Sequence, residues 1–196
     1  MTKKNFWMVI PTLLLPYLAL FTLATVFLST KVAFFKYIMD SVFDSNVLFL
    51  IAAFILCCIV ATVLDIICVS FSISKKWSAL SFAKVVMIIK LIQIPAYILI
   101  FILGVLLAIT IFTIPFSIAL FLSDCLSLAL TGALAVSAMI NSIRQGAFQL
   151  RDVFAMIIMQ FVFCADVVVF IIFYIRLKNK TDKTNMPSIS LEHSNN

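Results

Sequence analysis

The stretch VVMIIKLIQIPAYILIFILGVLLAITIFTIPFSIALFLSDCLSLALTGALAVSAMI, residues 85–140, decides the fold of this chain. It is almost wholly apolar, and as a single helix it would be roughly 84 Å long at 1.5 Å per residue. The hydrocarbon core of a bilayer is roughly 30 Å thick, so the stretch must fold back and cross it twice. Pro115 ends the segment TIFTIP at 110–115 and suits the first turn of a second helix. We therefore expect a turn at 110–115.

The composition of the whole chain also indicates a lipid environment. Hydrophobic residues make up 65% of the 196 residues and charged residues only 11%, whereas soluble proteins are roughly 45–50% apolar and 25% charged. A water-soluble fold of this size could not bury so much apolar surface. Apolar runs on both sides of the central stretch predict an all-α polytopic transmembrane helix bundle with five spans, or alternatively four. The predicted spans are residues 6–29, 47–72, 85–109, 115–140 and 153–175.

Two segments lie outside these spans. In residues 31–44, Phe35, Ile38, Met39 and Val42 share one helical face, and charged residues lie on another. This pattern predicts an amphipathic helix in the membrane interface, with a loop carrying aromatic anchors as the alternative. Residues 176–196 are polar and lack apolar periodicity, which predicts a disordered tail after a single transmembrane domain at 1–175.

The basic residues lie mainly at the ends of the predicted helices, where Lys and Arg orient a chain in the membrane. With five spans, the two sides carry nearly equal numbers of them. Lys3 and Lys4 favour an N-terminus inside, and the basic tail favours a C-terminus inside. The two termini can both lie inside only if the chain crosses the membrane an even number of times. A re-entrant first or fourth span would give an even number. We expect five spans with the N-terminus inside.

Asp65 and Lys90 are charged residues within predicted spans, where charge is costly and by default suggests function. Consecutive antiparallel spans place them at similar depth near the same surface. They could form an ion pair between spans two and three. Alternatively, Lys90 could extend alone to the headgroups.

Asp124 and Asp166 lie closer to the bilayer centre, on spans that run in opposite directions. Desolvation disfavours the charged form of such carboxyl groups. If both faced the bundle interior, they could share a proton or bind a cation. The alternative is that they only hydrogen-bond to neighbouring helices.

Span four carries small residues at every fourth position, which lets another helix approach closely. The residues are Ala119, Ser123, Ser127, Thr131 and Ala135. We expect the approaching helix to belong to the same chain, although a second copy would fit the pattern too.

The sequence lacks the motifs that would indicate catalysis or a cofactor. It contains no H-E-x-x-H, G-x-S-x-G or phosphate-binding G-x-x-x-x-G-K-[ST] pattern. Its one histidine, His193, lies in the polar tail, and its five cysteines form no C-x-x-C pair. We therefore expect no enzyme activity, no cofactor and no metal. The scattered basic residues also argue against nucleic-acid binding.

Three segments resemble an uncharacterised family of small multi-spanning membrane proteins of Gram-positive bacteria. They are KLIQIPAY at 90–97, SDCLS at 123–127 and QFVFCAD at 160–166. The resemblance implies a bacterial cytoplasmic membrane, and it brings no known activity.

The function that these patterns favour is that of a non-enzymatic membrane protein. It would act as an accessory, immunity-type or partner-binding subunit in the lipid bilayer, together with another membrane protein or a second copy of itself. The alternative is a small proton- or cation-coupled transporter that uses Asp124 and Asp166. Many transporters are built from inverted repeats, and we find no matching halves here.

Overall fold

A computed structural model describes residues 7–74, 77–162 and 165–185, and every regular element in these ranges is helical. A 3-10 turn at Trp7–Val9 leads into the first helix, and a second 3-10 turn at Ile111–Thr113 separates the fourth helix from the fifth. The α-helices are α1 Ile10–Leu28, α2 Ala33–Val42, α3 Val47–Ser74, α4 Ala79–Ala108, α5 Ile114–Arg144, α6 Leu150–Met159 and α7 Ala165–Asn185.

Four segments of the described chain are long and apolar enough to cross a membrane: Trp7–Leu28, Val47–Ser74, Ala79–Ala108 and Ile111–Arg144. Long apolar segments form helices in lipid because the backbone must satisfy its own hydrogen bonds there. The long stretch at 85–140 folds back at the predicted place, since α4 ends at Ala108 and α5 begins at Ile114. The chain is therefore an all-helical bundle suited to a membrane.

The predicted fifth span, residues 153–175, is not one continuous helix. It is divided into α6, which ends at Met159, and α7, which begins at Ala165. The segment after α6 meets the interior of α5, where a Cβ atom on Gly132 would lie 3.2 Å from the Gln160 carbonyl oxygen. Because Gly132 has no side chain, the segment after α6 can approach α5 closely, and this leaves room for the break between the helices.

From this point α7 returns toward the end at which α6 began. The ring centroids of Phe173 and Phe148 are 5.7 Å apart, and Lys180 Nζ donates a hydrogen bond of 2.9 Å to the Ala147 carbonyl oxygen. Since Ala147 and Phe148 precede α6, the two helices enter and leave the bundle at the same end. We call α6, the connecting segment and α7 the half-depth hairpin, because the 10 residues of α6 extend over roughly 15 Å, about half of a 30 Å hydrocarbon core.

The expected disordered tail is helical over its first part, because α7 continues past Ile175 to Asn185. Leu177 is 1% exposed in the main core, and Lys180 Nζ lies 4.2 Å from the centroid of the Phe148 ring. These contacts hold the polar end of α7 against the bundle. The rest of the predicted tail, residues 186–196, lies outside the described residues.

The main hydrophobic core lies at the end of the bundle that the half-depth hairpin enters. Val9, Cys68, Phe82, Met139 and Phe170 belong to this core and bring together five helical segments, namely the first 3-10 turn, α3, α4, α5 and α7. At its rim, Gln145 Nε2 donates to the Trp77 carbonyl oxygen at 2.7 Å, and Gln145 Oε1 accepts from the Ala79 amide at 3.1 Å. The end of α5 thus caps the start of α4.

Exposed basic side chains surround the same end of the bundle, which we call the basic end. They are Lys84, Arg144, Arg151, Arg176, Lys178 and Lys180. At the opposite end, α2 lies within the segment 31–44 that was predicted to be helical. Phe35 packs on Phe21 of α1 with 5.9 Å between ring centroids, whereas Phe34 and Tyr37 are exposed.

Candidate functional site

Lys90 of α4 and Asp166 of α7 form a buried ion pair, with 2.5 Å between Lys90 Nζ and Asp166 Oδ2. Their side chains are only 2% and 3% exposed. Lys90 Nζ also lies 5.8 Å from the centroid of the Phe170 ring. A charge buried at this depth needs a compensating partner. The ion pair therefore joins the half-depth hairpin to the bundle.

The sequence suggested an ion pair between Lys90 and Asp65. In the structure, Lys90 pairs with Asp166 instead. Asp65 Oδ1 accepts a hydrogen bond of 3.2 Å from the Thr12 hydroxyl of α1. The two residues do lie at similar positions along α3 and α4, but their side chains face different helices. Similar depth was therefore not sufficient to predict their pairing.

A chain of buried hydrogen bonds crosses four helices next to Asp65. Gln93 Nε2 donates to the Thr12 carbonyl oxygen at 2.8 Å, and the Tyr97 hydroxyl donates to Gln93 Oε1 at 3.0 Å. The Tyr97 hydroxyl also lies 3.3 Å from Ser127 Oγ on α5. Such bonds between membrane helices contribute about 0.6 kcal/mol each on average. Together they fix α1, α3, α4 and α5 relative to one another.

Asp124 of α5 differs from the other intramembrane charges because its carboxyl group has no hydrogen-bond or ion-pair partner among the described residues. The residue is 8% exposed, and Oδ1 is buried and unsatisfied. Ser123 Oγ beside it is unsatisfied too. A buried polar group without a partner is costly and calls for an explanation.

Asp124 lines a groove of about 580 Å³ between α4 and α5. The groove is bounded by Gly104 and Ala108 of α4, by Phe121 of α5, and by Phe161 at the tip of the half-depth hairpin. Phe121 is 66% exposed, so the groove opens outward at the side of the bundle. We call it the α4–α5 groove.

The sequence left open whether Asp124 and Asp166 form a shared proton or cation site or only hydrogen-bond to neighbouring helices. In the structure, Asp166 bonds to Lys90, whereas Asp124 lines the α4–α5 groove. Among the described residues, no cluster of three or more His, Cys, Asp or Glu side chains could hold a metal ion.

The predicted small-residue stripe of α5 packs mostly inside the chain. Ser123, Ser127, Thr131 and Ala135 are buried, and Ala119 is exposed. Ser127 meets Tyr97 of α4, and α4 is the helix that packs most extensively against α5. Four of the five stripe residues are therefore buried by contacts within the same chain.

Sequence reasoning missed three residues that organise this region: Gln93, Tyr97 and Gly132. Gln93 is fully buried and bonds α4 to α1, and Tyr97 extends the connection to Ser127 of α5. Its presence in an apolar span was the available signal, because polar residues there usually bond across helices. Gly132 had a weaker signal, as the sole glycine of its predicted span.

Comparisons of this chain with protein-family models, with curated proteins and with solved structures found no match.

Proposed function

We propose that the chain crosses the membrane four times and inserts the half-depth hairpin from one side. α1, α3, α4 and α5 are the crossings, since these are the segments with the required length and hydropathy. α2 lies in the interface, where its exposed Phe34 and Tyr37 meet the headgroup region. The resemblance noted in the sequence favours a bacterial cytoplasmic membrane as the location.

The distribution of basic residues supports an orientation with the basic end inside. This arrangement places Arg151, in the first turn of α6, on the same side as Lys178, in the second half of α7. Six exposed basic residues then surround the basic end, against Lys31 and Lys36 at the opposite end. Such an imbalance is what sets orientation in short-looped membrane proteins.

We expect cysteines introduced at Arg151 and Lys178 to react with a membrane-impermeant maleimide from the same side. The physical reason is that a hairpin begins and ends on one side, whereas a complete fifth crossing would separate these positions. The measurement is labelling of intact cells and of inverted vesicles, in a variant whose native cysteines are replaced by alanine. A cysteine at Lys36 is the control and should label from the other side. Labelling of positions 151 and 178 from opposite sides would restore the five-span topology.

For the function, we propose a non-enzymatic accessory or immunity-type protein that binds a membrane-embedded partner in the α4–α5 groove. The observation that supports this most is the unpartnered carboxyl group of Asp124 in a groove that opens at the side of the bundle. A charged side chain at such a depth costs about 2.5–3.5 kcal/mol on insertion scales, and residues of this kind are usually functional. A bound partner would supply the missing contacts.

A photo-crosslinking amino acid at Phe121 tests this function. We expect benzoylphenylalanine at this position to form one discrete adduct in the native membrane, because Phe121 lines the groove and is 66% exposed. The matched control is the same amino acid at Leu56, which is 61% exposed on α3 and does not line the groove. The measurement is the mass of the light-dependent adducts on a denaturing gel.

The adduct at Phe121 should also weaken in an Asp124→Asn background. Equal labelling of lipid alone at positions 121 and 56 would argue against a partner in the groove. Adducts of many different masses at both positions would argue against it equally, since they would report unspecific neighbours in a crowded membrane.

A second candidate function, proton- or cation-coupled transport, draws support from one observation. Asp124 carries a buried carboxyl group that has no partner among the described residues. A carboxyl group without a fixed partner within a membrane could take up and release a proton. The distinguishing measurement is proton flux into liposomes that contain the purified chain. Flux that disappears in Asp124→Asn would favour transport over partner binding.

A further inference from the structure

The α4–α5 groove begins where the half-depth hairpin ends. Phe161 of the hairpin bounds the groove on the side toward the basic end. Ala108, which lines the other end of the groove, lies at the end of α4 away from the basic end. Along α5 the groove extends from Ser117 to Leu128, which is roughly 16 Å at 1.5 Å per residue. The groove thus runs along the helix axes over about half of a 30 Å hydrocarbon core. It lies in the half of the bundle away from the basic end, which the hairpin does not cover.

The walls of the groove suit a helix as occupant. Gly104 and Ala108 are four residues apart on α4 and present little side chain, which permits a close approach of another helix. Phe101, Phe121 and Phe161 supply apolar contact area around them. These walls are apolar except at Ser117 and Asp124, and the Ser117 hydroxyl already donates a hydrogen bond to the Gly104 carbonyl oxygen at 2.8 Å.

Asp124 then defines the chemistry that the occupant must bring. The other intramembrane acids are satisfied, since Asp166 bonds to Lys90 and Asp65 accepts from Thr12. Asp124 has neither a cation nor a hydrogen-bond donor within the described chain, and it is more than nine-tenths buried. A cationic side chain at the same depth is the group that complements it.

A second copy of the chain does not offer such a group. Within the four candidate spans, the basic residues are Lys84, Lys90 and Arg144. Lys84 and Arg144 lie near the basic end, far along the axes from Asp124. Lys90 is buried in its own ion pair. The cation must therefore come from a different polypeptide.

We propose that the α4–α5 groove binds an apolar transmembrane helix of another membrane protein, and that this helix carries a lysine or arginine at the depth of Asp124. This inference rests on the proposed partner-binding function and specifies the partner. The apolar face of the helix packs on Gly104 and the groove phenylalanines, and its cation bonds to the Asp124 carboxylate.

The test uses the full chain in lipid nanodiscs and a synthetic leucine-alanine helix with one central lysine. We expect this helix to bind about tenfold more tightly than the same peptide with central norleucine, because an interhelical polar contact is worth about 1–2 kcal/mol and 1.4 kcal/mol is tenfold. The measurement is energy transfer between a dye on the peptide and a dye on a cysteine introduced at Lys178. In Asp124→Asn the two peptides should bind equally.

Asp40→Asn is the control for loss of one negative charge, because Asp40 is exposed on α2 at the end away from the hairpin. It should keep the tenfold preference. A melting curve of Asp124→Asn shows whether that variant is folded, and Phe121→Ala supplies a second groove variant that should weaken both peptides.

Equal binding of the two peptides to the unaltered chain would overturn the inference. Displacement of the lysine helix by dodecylammonium at equal concentration would also overturn it, in favour of a small lipophilic amine. If the peptide preference is absent but the adduct at Phe121 persists, partner binding stands and the inferred partner chemistry fails. If the preference is present but no adduct forms in the native membrane, the proposed function fails instead.

Discussion

Replacement of Lys90 with methionine should lower the free energy of unfolding by about 3–5 kcal/mol, as expected when one member of a buried ion pair is removed. Methionine preserves the apolar stem of the side chain but lacks the ammonium group that lies 2.5 Å from Asp166 Oδ2. The carboxylate of Asp166, only 3% exposed, is then left without compensation. The measurement is equilibrium unfolding of the purified chain in mixed micelles.

Lys84→Met provides the matched control on the same helix. Lys84 is exposed, and its replacement should change the unfolding free energy by no more than about 0.5 kcal/mol, as surface substitutions usually do. Comparable losses in the two variants would mean that the ion pair contributes nothing beyond the removal of a lysine.

A double variant separates the pairing of the charges from their individual environments. Lys90→Met combined with Asp166→Leu should recover most of the stability, because apolar replacement of a whole buried ion pair is often neutral or stabilising. Recovery should be incomplete, since Asp166 lies in the first turn of α7, where a negative charge interacts favourably with the helix N-terminus by about 0.3–1 kcal/mol. Additive losses in the double variant would show that the two residues do not act together.

The apolar runs predicted the long helices because in lipid they leave the backbone no alternative to a helix. The fold-back at 110–115 followed from helix length against membrane thickness, and Pro115 marked its position. The rise per residue is constant, so depth along a helix could be read from the sequence. It placed Asp65 and Lys90 at similar depth, as in the structure.

The rotation of each helix about its axis could not be read in the same way. An all-apolar helix has no polar face that shows which side meets which neighbour. The sequence therefore did not predict that Asp65 faces Thr12 while Lys90 faces Asp166.

The break between α6 and α7 could not be predicted either, because residues 147–186 contain no proline or glycine. It depends on tertiary contacts with Gly132 and Lys90, which are distant in sequence. When residues 153–175 form a hairpin, the basic residues of α7 lie at the basic end. The two sides of the membrane then no longer carry nearly equal numbers of basic residues, as they did with five spans.

Replacement of Gly132 with valine should be the second most damaging change, with a loss of about 1–3 kcal/mol from overpacking. Even a single Cβ atom at this position would lie 3.2 Å from the Gln160 carbonyl oxygen and 3.2 Å from a ring carbon of Phe161. The carbonyl is backbone and cannot rotate away, so the tip of the half-depth hairpin must shift. The measurement is the unfolding midpoint of the variant under the same micelle conditions.

Alanine substitutions at Gly132 and Gly104 give the sharper comparison, because the same chemical change should act with opposite sign. A helical glycine replaced by alanine gains up to about 1 kcal/mol in helix propensity. At Gly104 a Cβ atom would meet only Ser117 Oγ at 3.9 Å, an ordinary van der Waals distance, so the gain should be retained. At Gly132 the clash should exceed the gain and lower stability. A stabilising Gly132→Ala would mean that the hairpin tip does not rest against α5, and the half-depth insertion would lose its main structural support.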